Sequence, residues 1–143
     1  MSQTMNLPRQ TIQMEERKAK LSTLWTFLLF NMVFADIFSF MHPGALKQIM
    51  AGSVDGTTIT PAFLLIAAIV TEIPMAMVFL SRLLKYGPNR WVNIIGGVIT
   101  ILWVVGGGSW TLPTYIFIAS IEVVCALFII GYAWRWRNAE AQP

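Results

Sequence analysis

Four long apolar runs, separated by short charged or glycine- and proline-bearing segments, constrain this chain more than anything else in it. They cover about residues 21–41, 59–81, 91–110 and 113–134. Each is close to the ~20 residues a helix needs to cross a ~30 Å hydrocarbon core. A soluble helical bundle would show one apolar stripe per helix and a charged opposite face. Here the runs are apolar nearly all round, and charged residues make up only 12% of the chain, against about 25% in soluble domains. The expectation is an all-α fold, a four-helix transmembrane bundle that passes the lipid bilayer four times. Residues 1–20 read as a polar juxtamembrane segment, 21–137 as the four-helix domain and 138–143 as a tail. Neither an internal repeat nor a second domain is visible.

Lysine and arginine set the orientation. Arg9, Arg17, Lys18 and Lys20 precede the first run; Arg82, Lys85 and Arg90 lie between the second and third; Arg135 and Arg137 follow the fourth. Only Lys47 falls on the other side. This asymmetry predicts both termini and the middle connection in the cytoplasm. The net charge of +3 is then an orientation signal, and the basic residues form no patch of the kind that binds nucleic acid. Trp25, Trp91, Trp134 and Trp136 are placed near the cytoplasmic boundary, Trp110 and Tyr115 near the opposite one. A cleaved signal peptide ending at Val33-Phe34-Ala35 is the rival reading. The long lead and the apolar run continuing through 37–41 argue against it.

The connections carry conventional signals. Glu16 and Lys20 are spaced i,i+4, which supports a short helix running into the first span. His42-Pro43-Gly44 ends that span. Residues 45–51 set Leu46, Ile49 and Met50 against Lys47 and Gln48, the pattern of a short helix on the outer surface. Residues 52–56 are turn chemistry, and Gly87-Pro88-Asn89 reads as a tight turn. Pro113 suits the first turn of a helix. Cys125 is alone, so an intramolecular disulfide is excluded.

Asp36, Glu72 and Glu122 lie inside the apolar runs with no lysine or arginine beside them. An ionisable group at mid-bilayer costs roughly 2.5–3.5 kcal/mol on insertion scales and marks a functional site by default. At 1.5 Å per residue the three depths fall within roughly 10 Å of one another, in the outer half or middle of the bilayer. Small and polar residues mark faces where membrane helices pack closely. Ala68 and Ala76 flank Glu72; Ala119, Cys125, Ala126 and Tyr115 share the face of Glu122; Ser39 is one turn from Asp36. Asn93, Gly96 or Gly97, Thr100 and Gly107 share a face of the third run. All three carboxyls are therefore expected to look inward on one cavity, with Thr100 and Tyr115 as polar neighbours. Three acids without a base cannot all be ionised cheaply, and Glu72, the deepest, is expected to carry a proton. Pro74 frees the carbonyl of Val70 beside Glu72, and carbonyl and carboxylate oxygens suit hard cations. The plainer alternatives are a packing kink and protonated carboxyls that merely bridge helices.

Catalytic, metal and cofactor signals are missing from the sequence. His42 is the single histidine, which leaves a zinc or haem site without ligands but allows a pH-sensing role at the outer interface. No Gly-x-Ser-x-Gly occurs, and no lysine follows the glycine runs as a phosphate loop requires. Asn31 lies on a different face from Asp36, available to a neighbouring helix or another subunit.

Asn31-Met32-Val33-Phe34-Ala35-Asp36-Ile37, Thr71-Glu72-Ile73-Pro74, Leu80-Ser81-Arg82, Asn89-Arg90-Trp91-Val92-Asn93-Ile94-Ile95, Tyr115-Ile116-Phe117 with Ile121-Glu122, and Tyr132-Ala133-Trp134-Arg135-Trp136 resemble a family of small four-span bacterial membrane proteins classed as a domain of unknown function. More distantly the architecture is similar to DoxX-like four-helix membrane proteins, a likeness that transfers no site residues. The resemblance implies the fold and a bacterial inner (plasma) membrane, and no activity. Three functions stay open: an oligomeric protein binding or translocating a proton, cation or small polar ligand; a lipid- or quinone-binding protein or enzyme using carboxyl acid–base chemistry; and an accessory or assembly protein without chemistry.

Overall fold

A computed structural model describes residues 6–108 and 110–136, with side-chain surroundings from Arg9 onward. Ser109, Arg137 and the 138–143 tail lie outside the described residues.

The first helix, α1 (Asn6–Met41), has 36 residues and is about 54 Å long. The polar lead and the first span are thus one helix. Pro8 sits in its first turn, where the missing N–H costs nothing, and no breaker follows until His42-Pro43-Gly44. Gly44 takes φ 91°, a left-handed value suited to glycine. Among the described residues of the lead, Lys18 Nζ pairs with Glu15 Oε1 at 3.0 Å.

A short helix α2 (Ala45–Met50) follows. Next comes a hairpin in which β1 (Ser53–Val54) pairs antiparallel with β2 (Thr57–Thr58). Its two-residue loop is Asp55-Gly56, with φ 45° and 79°, the positive pair such a turn requires. The sequence reading had the turn but not the strands.

The remaining spans are α3 (Pro61–Leu83), α4 (Tyr86–Gly106) and α5 (Pro113–Trp134). Thr60 caps α3, its Oγ1 accepting from Phe63 N at 3.1 Å. Gly87-Pro88-Asn89 is not the turn itself. It forms the first turn of α4, which starts five residues before the expected 91; proline is tolerated there. α1, α3, α4 and α5 are all long and apolar enough to cross a membrane.

Each of α1 and α4 packs against both α3 and α5. The four spans therefore form a square of antiparallel neighbours, with α1 and α4 on one diagonal. One end carries the start of α1, the end of α5 and the α3–α4 connection; the other carries the hairpin. Leu21, Trp25 and Leu28 of α1 are wholly buried. From residue 29 onward no residue of α1 is. The bundle is closed toward the termini and looser along α1 toward the hairpin. Its outside shows a nearly continuous apolar surface, including Phe30, Phe34, Leu65, Phe79, Leu102 and Phe128, far larger than the patches water-exposed proteins leave uncovered.

Glycines set the helix spacing on α4. A Cβ at Gly97 would come within 2.7 Å of Ile130 Cγ1 on α5, whereas one at Gly96 would meet Trp25 at 3.4 Å. Gly97→Ala is expected to destabilise by about 1–3 kcal/mol through overpacking, and Gly96→Ala by far less. Adding Ile130→Ala should recover part of the Gly97→Ala loss. Thermal unfolding in detergent checks the order; equal effects at the two glycines would contradict it.

Candidate functional site

Glu122 lies on the α5 face that also buries Ile118, Ala119, Cys125, Ala126 and Ile129. Packing of that face on α1 and α4 takes the carboxyl to 4% exposure. Its Oε1 is buried and finds no hydrogen-bond partner among the described residues. Buried polar oxygens are nearly always paired, so this one calls for an explanation.

Asp36 sits opposite on α1, at the exposed edge of the bundle. It is close enough for its charge to act on both Glu122 and Tyr115. Tyr115, two turns before Glu122 on α5, donates its hydroxyl to the Val104 carbonyl of α4 at 2.7 Å. Its ring stands edge-on to Trp110 at 5.7 Å, and its hydroxyl fills the space a side chain at Gly108 would need. A cleft of about 280 Å³ opens here between α1 and the start of α5. Ala35, Phe38, Ser39, His42, Tyr115 and Ile118 are among its lining residues. Ala35 and Ser39 flank Asp36 in sequence and Ile118 lies one turn from Glu122, but neither acid lines the cleft itself.

The other predicted site residues fall elsewhere. Thr100 is buried, but its Oγ1 donates to the Gly96 carbonyl of its own helix at 2.8 Å. Glu72 is exposed, contrary to the inward orientation expected of it. It stands two positions, about 200° of helix rotation, from the buried Pro74. Ala68 and Ala76 share its exposed face, so this small-residue stripe lies on the outside of the bundle and not in its interior. Asp36, too, lies at the edge and not within. Among the described residues no three His, Cys, Asp or Glu side chains come together. Asn31 bonds within its own helix, Nδ2 to the Phe27 carbonyl at 2.9 Å.

A buried polar network near the termini escaped the sequence reading. Trp25, expected at the boundary, is wholly buried. Its Nε1 crosses the diagonal to donate to Asn93 Oδ1 at 2.7 Å. Ser81 Oγ donates to the same oxygen at 3.2 Å. Asn93 Nδ2 donates to Asn89 Oδ1 at 2.7 Å and to the Asn89 carbonyl at 2.8 Å. Asn89 Nδ2 in turn donates to the Ser81 carbonyl at 2.7 Å and to the Leu84 carbonyl at 3.2 Å. The network ties α1, α3 and α4 together, and both amide donors of Asn93 and of Asn89 are already committed within it. The remaining signal in the sequence was Asn93 and Ser81, polar residues at the edges of apolar runs.

The architecture defines the class: a helical bundle with four helices long and apolar enough to cross a membrane. Within it, the chain belongs to the family of unknown function DUF6326, whose family model matches residues 11–142. No curated protein and no solved structure matches it.

Proposed function

We propose that this is a multi-pass protein of a bacterial inner membrane that binds a proton or a small cation at Glu122. We place both termini in the cytoplasm and the hairpin outside, from the nine-to-one distribution of lysine and arginine. The observation that carries the reading is the buried, unpartnered Oε1 of Glu122 with a second carboxyl, Asp36, in electrostatic reach. No lysine or arginine occupies the apolar part of any span to neutralise them. A carboxylate taken out of water without a counter-charge is costly, so the position favours a positively charged occupant.

The roles divide by exposure. Asp36, at the edge, attracts the cation. Glu122, inside, holds it. Tyr115, its hydroxyl committed to Val104, shapes the wall of the cleft. Toward the termini Leu28, Trp25 and Ile129 close the bundle completely. That packing favours binding from the hairpin side over a continuous channel within one subunit. The architectural likeness to DoxX-like proteins adds no residue to this site.

Ligand that binds the folded state raises its thermal stability. The protein in mild detergent should therefore melt several degrees higher with a favoured cation among Li⁺, Na⁺ and K⁺ than with a bulky organic cation. The gain should shrink as the pH falls and protons compete. Infrared absorption of a protonated carboxyl separates the proton from the cation. Reporter fusions at the C-terminus and in the hairpin test the orientation. Melting that ignores both cation and pH, with no carboxyl band that titrates, would refute the binding reading.

A further inference from the structure

Glu72 is the middle residue of the 23-residue α3, which puts it at the centre of a span. It points away from the bundle, in a stripe with Leu65, Ala68, Ile69, Met75 and Phe79, all exposed. Among the described residues it makes no hydrogen bond and no ion pair. Both ends of α3 are about 16 Å away. A glutamate side chain is far too short to reach water across that distance, unlike lysine or arginine near a helix end. A carboxyl facing hydrocarbon at this depth is expensive, so something covers it.

We infer that the Glu72 face of α3 is the interface with a second copy of this chain, the two Glu72 carboxyls meeting across a two-fold axis along the membrane normal. Three features select this occupant. Copies inserted in the same sense carry Glu72 at the same depth, so a two-fold axis brings the carboxyls together without any further adjustment. A carboxyl that holds a proton is both donor and acceptor, so two of them satisfy each other and no basic partner is needed. Ala68 and Ala76, one turn to either side on the exposed face, let two helix backbones approach closely enough for short side chains to touch. The interface is independent of Glu122, which is buried on α5, and of the cleft between α1 and the start of α5.

Single-molecule photobleaching in liposomes of increasing protein density measures the association directly. Wild type should pass from monomer to dimer. Glu72→Gln, whose amide also donates and accepts, should keep the dimer. Glu72→Leu suits lipid better yet should need about tenfold higher density for half-dimerisation, because the interhelical polar contact is gone. Ala76→Leu should weaken association similarly by holding the helices apart. Oxidative cross-linking should join Ala68→Cys copies and leave Val70→Cys copies unlinked. Glu72→Leu dimerising as well as wild type would overturn the inference. So would a wild type that stays monomeric throughout, or Ala68→Cys linked only to a different protein. Folding of each variant is checked by its melting curve.

Discussion

Asn93→Ala should be among the most destabilising single substitutions in this protein, at about 2–5 kcal/mol. The change removes the acceptor of the Trp25 Nε1–H and of the Ser81 hydroxyl, and the donor to Asn89 Oδ1. All four residues are fully buried, so water cannot replace the lost partner. Each buried group left unsatisfied costs about 1–3 kcal/mol, and the Trp25 and Asn89 atoms have no substitute among the described residues. Trp25→Phe should cost much less, because Asn93 Oδ1 keeps the Ser81 hydroxyl and the ring volume is largely preserved. The double variant should be more stable than the sum of the two losses predicts, since removing the indole N–H cancels one orphan created by Asn93→Ala. Unfolding in detergent followed by tryptophan fluorescence or circular dichroism gives the three values. Additive losses would mean that the Trp25–Asn93 bond contributes nothing specific.

This network also shows how far the sequence could be read. The four long apolar helices were legible because a length and apolar composition sufficient to cross a membrane are a pattern that little else in a chain imitates. Their limits were less so. Gly87 and Pro88 look like a turn, yet a first helical turn has no N–H bonds to lose, and α4 accommodates both. Glu122 was legible too: Ala119 and Ala126 repeat at helical spacing around it, and the face they mark is buried. The same rule failed at Glu72. Small residues at i−4 and i+4 announce that another helix approaches, and they are silent about whether that helix belongs to the same chain. Trp25 was misplaced because tryptophan usually sits at the membrane boundary with its N–H in water. Its partner here, Asn93, is 68 positions away, a distance no local pattern reports. Nothing in the sequence said that α1 would pack tightly through Leu28 and loosely beyond it, which is what leaves the cleft lined by Phe38, Ser39 and Tyr115.

The three acids within the long apolar helices, Asp36, Glu72 and Glu122, should separate cleanly by substitution with their amides, and the separation is the sharpest expected functional effect. Glu122→Gln should abolish the cation- and pH-dependent gain in melting temperature. The buried oxygen would then belong to a neutral amide with no charge to balance. Asp36→Asn should weaken the response and leave it present, because this carboxyl sits at the exposed edge and acts on the site through its field. Glu72→Gln should leave the response untouched, since the residue stands on the far side of α3 and has no part in the cleft. The Glu122 variant is not expected to unfold: the amide has the shape of the acid, and a neutral group is easier to bury than an unpartnered carboxylate. In the absence of a favoured cation it should melt at or above the wild-type temperature. The reverse ranking, with Glu72→Gln silencing the response and Glu122→Gln preserving it, would move the binding site to the α3 interface. Loss of the response in all three variants would mean that the acids act as one coupled set despite their separation. Persistence in all three would remove carboxyl chemistry from the function altogether.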